Sequence, residues 1–219
     1  MTESRQTHIT LDRGQQLQIR QAAERLKTKY AGRVNVETIE RCRADSLDQL
    51  MEKARLPMWV PMLAERFADQ RLRALVRLES AITTTTPAVL FLCVHNAGRS
   101  QMAAGWTRYL AGDRIDVYSG GSEPADALNH GAVEAMAEVG IDITGELPMP
   151  WADEIVRAAD VVVTMGCGDA CPLFPGKRYL DWELEDPSGK VVAEIRPIRD
   201  EIERRVRGLM AELDVTPND

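Results

Sequence analysis

The sequence predicts two parts of different class: a small α/β layer with a doubly wound, parallel, four-stranded sheet, preceded by an all-α three-helix bundle. Two continuous apolar runs, Ala88 to Cys93 (AVLFLC) and Asp160 to Met165 (DVVVTM), carry the mark of strands buried on both faces of a parallel sheet. Helical patterns alternate with them, as parallel connections require. Upstream, apolar residues recur at helical spacing instead, and a composition shift at Thr83 to Pro87 (TTTTP) separates the two patterns.

In chain order, the first three elements are amphipathic helices over Asp12 to Tyr30, Val36 to Ala54 and Pro61 to Ser80. In the third, Leu63, Phe67, Leu72, Leu75 and Leu78 mark one buried face. Asp12, Asn35 and Pro61 suit helix starts, because a short polar side chain or a proline answers the free N–H groups of a first turn. The expected division is a bundle over 1–82, a linker over 83–87 and an α/β domain over 88–219. About 80 residues make a marginal independent core. The bundle is therefore expected to stabilise the α/β part or to serve as a homodimerisation module.

In the second part, the strand Ala88 to Cys93 leads into a helix over Arg99 to Ala111. A strand over Ile115 to Ser119, helices over Gly131 to Glu138 and Trp151 to Ala158, and the strand Asp160 to Met165 follow. A weaker fourth strand covers Lys177 to Leu180. A closing helix runs from about Ile195 to Leu213, where Pro197 is tolerable only in the first turn.

Composition excludes several functions. A net charge of −7 over 219 residues argues against nucleic acid, and the run Arg204, Arg205, Arg207 shares its helix with Glu201 and Glu203 as a solvated face. No apolar stretch approaches the roughly 20 residues that span a bilayer, and the N-terminus lacks a signal-peptide pattern. A cytoplasmic protein with no membrane partner is expected. Its four cysteines then sit in a reducing compartment, where redox or catalytic roles outweigh structural disulfides.

The first apolar strand ends in Cys93-Val94-His95-Asn96-Ala97-Gly98-Arg99-Ser100. Ligands of open α/β sheets bind at the carboxyl ends of strands, and here the chain curls directly into a helix N-terminus. Small Ala97 and Gly98 permit close backbone approach, so the loop can form an anion-binding nest. Arg99 adds a planar fork of donors for two oxygens of a tetrahedral anion. The same positive surroundings favour the thiolate of Cys93, and Ser100 can donate to its sulfur. His95 is a less apt base, because alternate side chains of such a loop point away from the anion.

This C-x5-R-S segment after a first apolar strand resembles the low-molecular-weight protein tyrosine phosphatase family. Arg99 to Trp106 (RSQMAAGW) is similar to its arsenate reductase branch. The resemblance covers about Ala88 to Leu213. It implies that Cys93 is the nucleophile, and that the loop Val94, His95, Asn96, Ala97, Gly98, Arg99 and Ser100 binds the oxyanion. It further implies that Asp186, in the pair Asp186-Pro187, is the general acid. Asn96 and Ser119 lie where the family uses polar side chains to brace the loop. Some members carry a glutamate at Ala104 in a monovalent cation site, so no potassium is expected.

A phosphatase lets water release the cysteinyl intermediate, whereas a reductase needs a further thiol. Cys167 and Cys171 stand just after the second apolar run, in MGCGDACP. The resemblance to thioredoxin-coupled arsenate reductases implies attack of Cys167 on Cys93, then of Cys171 on Cys167, yielding a disulfide that thioredoxin reduces. The short spacing, Cys-x3-Cys, departs from that family. A related branch uses mycothiol or another small thiol as donor. Zinc is not expected, since Cys42, His8, His95 and His130 supply no second half-site. Cys42 reads as core.

The expectation is an arsenate reductase that binds no cofactor and takes arsenate plus an external thiol reductant. A tyrosine phosphatase and a non-enzymatic oxyanion-sensing adaptor are the alternatives. Ser188 and Gly189, in place of aromatic residues after Asp186-Pro187, suit a small inorganic anion.

Overall fold

The computed structural model describes residues 11–53, 57–80, 85–166 and 173–218. Cys167, Cys171, His8 and the Thr83 and Thr84 end of the expected linker lie outside these residues. Residue contacts divide the chain after Leu72 into two units.

The first unit holds α1 (Arg13–Lys29), α2 (Val36–Lys53) and most of α3 (Val60–Glu79), after a short 3₁₀ turn at Pro57–Trp59. Asp12 starts α1 with a reciprocal cap: its carboxylate accepts from Gln15 N at 2.8 Å, and Gln15 Oε1 accepts from Asp12 N at 2.9 Å. The Asn35 side chain accepts from Thr38 N at 2.8 Å and caps α2. Leu26, Tyr30, Ile39, Cys42, Phe67 and Leu72 are buried, but of the stripe expected on the third helix Leu63 and Leu75 are half-buried and Leu78 is exposed, so that stripe packs only in part.

The second unit contains a four-stranded parallel sheet of order β2-β1-β3-β4, formed by β1 (Ala88–Cys93), β2 (Asp116–Gly121), β3 (Val161–Met165) and β4 (Arg178–Asp181). The expected fold class holds. Between the strands run α4 (Arg99–Ala111), α5 (His130–Ala137) and α6 (Asp153–Ala158), and α7 (Val192–Glu212) closes the chain. Every residue of β1 is buried, as a central parallel strand flanked on both sides must be. Val89, Phe91 and Cys93 point into one core with Met102, Met136, Ile195 and Ile202, so α4, α5 and α7 cover that face. The register pairs Cys93 with Gly121 of β2 and with Met165 of β3. The ends of three strands therefore meet where β1 turns into α4.

One expectation about α7 needs correction. The helix starts at Val192, so Pro197 lies in the second turn rather than the first. The Glu194 carboxylate accepts from Val191 N at 3.1 Å and starts the helix early. Proline leaves the Ala193 carbonyl without an intrahelical donor, but Ala193 and Pro197 share an exposed face where water can serve it. The strand ends also move: β2 runs two residues past Ser119, because Gly120 and Gly121 continue the ladder beside Leu92 and Cys93.

Candidate active site

The loop from Cys93 to Arg99 is held open by its neighbours. The carbonyls of Val94, His95 and Ala97 accept from the backbone N–H groups of Glu123, Ala125 and Asn129 at 2.8, 3.0 and 2.9 Å. The Asn96 carbonyl accepts from Gln101 Nε2 at 3.1 Å. In a planar trans peptide, C=O and the next N–H point in opposite directions. Four outward carbonyls thus turn the N–H groups of His95, Asn96, Ala97 and Gly98 inward, the concave donor array that binds anions. The Asn96 N–H donates to Cys93 Sγ at 3.2 Å, as this geometry requires.

Asn96 makes the curl possible. Its φ of 48° lies in the left-handed region that asparagine tolerates better than most residues. Its side chain is fully buried. Nδ2 donates to Ser100 Oγ at 2.9 Å, and Oδ1 accepts from Gln101 Nε2 at 3.1 Å and from Met149 N at 2.8 Å. Both lone pairs of Oδ1 are taken by N–H donors, which leaves none for a cation. Among the described residues, no group of three His, Cys, Asp or Glu is placed to hold a metal ion.

Cys93 is buried at the carboxyl end of β1, with Sγ 3.0 Å from Ser100 Oγ. Asn96 supplies a donor to Ser100 Oγ, so the hydroxyl hydrogen is free to point at the sulfur. Arg99, also buried, reaches back across the pocket: Nη2 meets Asp186 Oδ2 at 2.6 Å and Nη1 donates to the Leu184 carbonyl at 3.5 Å. Gly166, at φ 73°, lies flat against that guanidinium, and a Cβ there would sit 2.7 Å from Nη1. Gly121 gives the other wall the same closeness, since its Cβ would meet the Val94 carbonyl at 2.7 Å.

Asp186 is exposed at the pocket lip. Its Oδ1 accepts from Ser188 N at 2.8 Å, which folds the following turn back over the loop. A pocket of about 180 Å³ opens between Cys93, His95, Ala97, Gly98 and Arg99 on its floor and Ala125, Ala127, Asn129, Asp186, Pro187 and Ser188 on its rim. Among the described residues, no Phe, Tyr or Trp lines it. His95 is exposed, with Nδ1 donating to the Glu123 carbonyl at 3.0 Å, so that nitrogen carries the proton.

The structure thus brings together Cys93, Arg99, Asp186 and the loop amides, which the sequence places nearly a hundred residues apart. Ser119 is buried opposite Phe91, and among the described residues none of the side-chain hydrogen bonds that brace the loop comes from it. Bracing comes instead from Gln101, Met149 and Asn129. Gln101, within RSQMAAGW, is fully buried, and its role was missed because a glutamine in a helix is ordinarily exposed. Met165 is the register partner of Cys93, so β3 ends beside the nucleophile just before the segment carrying Cys167 and Cys171.

Residues 88–217 match the family model described as low molecular weight phosphotyrosine protein phosphatase. Residues 19–76 match one described as protein-tyrosine-phosphatase-like, N-terminal domain. An arsenate reductase of Staphylococcus epidermidis is 42% identical over 122 residues, covering 54% of this chain and 92% of that protein. Among solved structures, a thioredoxin-dependent arsenate reductase of Corynebacterium glutamicum is 41% identical with a TM-score of 0.77, covering 90% of this chain and 96% of that one. An arsenate reductase in a phosphate-binding state is 35% identical with a TM-score of 0.52, covering 58% of this chain and 98% of that one.

Proposed function

Since the chain belongs to the low molecular weight phosphotyrosine protein phosphatase family, we propose that it reduces arsenate to arsenite with an external thiol as electron donor. The observation that carries this reading is a buried cysteine on the floor of a small pocket, with Arg99 and Asp186 beside it and, among the described residues, no Phe, Tyr or Trp to grip an aryl ester. Similarity to a thioredoxin-dependent arsenate reductase along most of the chain supports the same choice.

Arsenate enters with its oxygens against the inward N–H groups and the Arg99 fork. The Cys93 sulfur, which accepts from Asn96 N and lies 3.0 Å from Ser100 Oγ, attacks arsenic as the thiolate and forms an S–As bond. The departing oxygen takes a proton from protonated Asp186 and leaves as water, because hydroxide is a poor leaving group near neutral pH. The Cys167 thiolate then attacks Cys93 Sγ. The S–As bond breaks, its electron pair stays on arsenic, arsenite leaves and a Cys93–Cys167 disulfide remains. Attack of Cys171 on Cys167 frees Cys93, and the new disulfide is reduced by thioredoxin. A mycothiol system is the alternative donor, and it would make the second cysteine dispensable.

The test is steady-state arsenate reduction by wild type and by Cys93→Ser, Cys167→Ser and Cys171→Ser, with purified thioredoxin and mycothiol systems supplied separately. Loss of arsenite formation in all three with thioredoxin is expected. Full activity of Cys171→Ser with thioredoxin would remove the relay. Aryl phosphate turnover that survives loss of both downstream cysteines, without arsenite formation by wild type, would make the protein a phosphatase. The N-terminal helices are proposed as a homodimerisation module, with exposed Met58, Trp59 and Met62 as its apolar contact. A monomer by sedimentation would rule that out.

A further inference from the structure

We infer that Asn129 is a positioning residue that clamps the acid-bearing turn onto the anion loop, an inference that rests on the reading of Asp186 as the general acid. Asn129 lies between β2 and α5, and three segments converge on it. Its backbone N–H donates to the Ala97 carbonyl of the anion loop at 2.9 Å. Its Oδ1 accepts from Ala132 N at 2.8 Å and caps α5. Its Nδ2 donates to the Pro187 carbonyl at 3.2 Å. The orientation of the amide is fixed by these partners: an N–H can only donate, so the atom facing Ala132 N is the oxygen and the atom facing the Pro187 carbonyl is the nitrogen.

The geometry of the other side makes this bond consequential. Pro187 is buried although Asp186 and Ser188 on either side are exposed. It rests on Gly98, where an added Cβ would come within 2.6 Å of Pro187 Cγ and 3.8 Å of Asn129 Cβ. The turn is closed by Lys190 N donating to the same Pro187 carbonyl at 3.2 Å, with Gly189 at φ 72° supplying the left-handed residue. Asp186 is the residue before that anchored proline. A glycine floor beneath and one amide from the side therefore set where the acid stands over the pocket. One residue, whose backbone N–H holds the loop presenting the anion and whose side chain holds the turn presenting the proton, fixes their separation, which is the quantity that proton transfer to a departing oxygen depends on.

Asn129→Ser separates the two side-chain roles without adding charge. Serine keeps a cap oxygen for Ala132 N and the backbone N–H to Ala97, but it is too short to reach the Pro187 carbonyl. Asn129→Ala loses cap and clamp together. Arsenate kcat and KM, sulfate affinity, and amide hydrogen exchange at Ser188, Gly189 and Lys190 against α5 would be compared. For Asn129→Ser we expect kcat to fall by about tenfold, with KM and sulfate affinity within about twofold of wild type. Exchange should be faster in the 188–190 turn and unchanged in α5, whereas Asn129→Ala should also exchange faster in α5. Unchanged exchange in the turn, unchanged kcat, or a loss confined to KM would each overturn the clamp. If wild type reduces no arsenate, the reductase reading fails by that result alone, and the exchange comparison still decides whether the clamp exists.

Discussion

Replacing Asn96 by alanine tests whether the anion loop is held by one buried side chain. The change removes the partners of Ser100 Oγ and Gln101 Nε2 and strips Met149 N of its acceptor. Gln101 Nε2 retains the Asn96 and Leu147 carbonyls, so its loss is small. Met149 is buried, and an unsatisfied buried N–H costs about 1–3 kcal/mol. Holding alanine at φ 48° adds about 1 kcal/mol that asparagine largely avoids. With about 1 kcal/mol for the bond to Ser100, the sum is about 3–5 kcal/mol. For a chain of this size that lowers the midpoint of the catalytic unit by roughly 6–20 °C. Thermal and urea unfolding followed by near-ultraviolet circular dichroism measure it, with sulfate binding as a second readout. A variant within about 1 kcal/mol of wild type that also binds sulfate normally would show that the backbone curls without this side chain, and the reasoning would be wrong.

Three further outcomes follow from the geometry. Asp186→Asn removes a carboxylate from Arg99 Nη2, so sulfate should bind several-fold tighter by calorimetry while arsenate turnover falls about a hundredfold or more; weaker sulfate binding would contradict the competition. Gly98→Ala places a Cβ where Pro187 Cγ sits, so the acid turn must lift, and kcat should drop about tenfold or more in a protein that still folds; a crystal structure with Pro187 unmoved would refute it. Hydrogen bonds from Arg204 and Arg205 hold the Glu201 carboxyl down at about 2. A depressed carboxyl contributes stability that is present above its unfolded value of about 4.5 and lost as pH falls toward 2. The pair is near the surface, so the contribution is under about 1 kcal/mol. Glu201→Gln should therefore flatten the fall in melting temperature between pH 5 and pH 2, and a parallel fall in the two proteins would count against it.

The strands and the loop from Cys93 to Arg99 were legible because their signals are local. AVLFLC can be read without knowing its neighbours, since burial on both faces erases polar alternation, and Cys93, Arg99 and Ser100 follow it within one turn of chain. The two glycines that extend β2 were not legible as strand, because glycine weakens a strand on its own account. They are explained by what touches them: Trp151 lies about 3.0 Å from the Cβ position of Gly120, and the Val94 carbonyl lies 2.7 Å from that of Gly121. Asn129 caps α5. Its second bond, to a carbonyl 58 residues away, has no local trace. Ser119 shows the converse error: a polar residue beside the loop in sequence alignment with the sheet, yet sitting opposite Phe91 while the bracing comes from residues carried on α4 and before α6.

The contacts around Arg99 give the site an order of events. Its guanidinium is shared between the Asp186 carboxylate and the Leu184 carbonyl, with Gly166 behind it. A tetrahedral anion that takes two oxygens to the Arg99 fork must displace the carboxylate from Nη2, so binding and release of Asp186 are one step. On the proposed mechanism, the step that seats the anion over Cys93 also frees Asp186 to face the departing oxygen. A cavity lacking the ion pair would bind the anion more tightly and leave it unreacted, so the weaker binding imposed by Asp186 is a consequence of the chemistry.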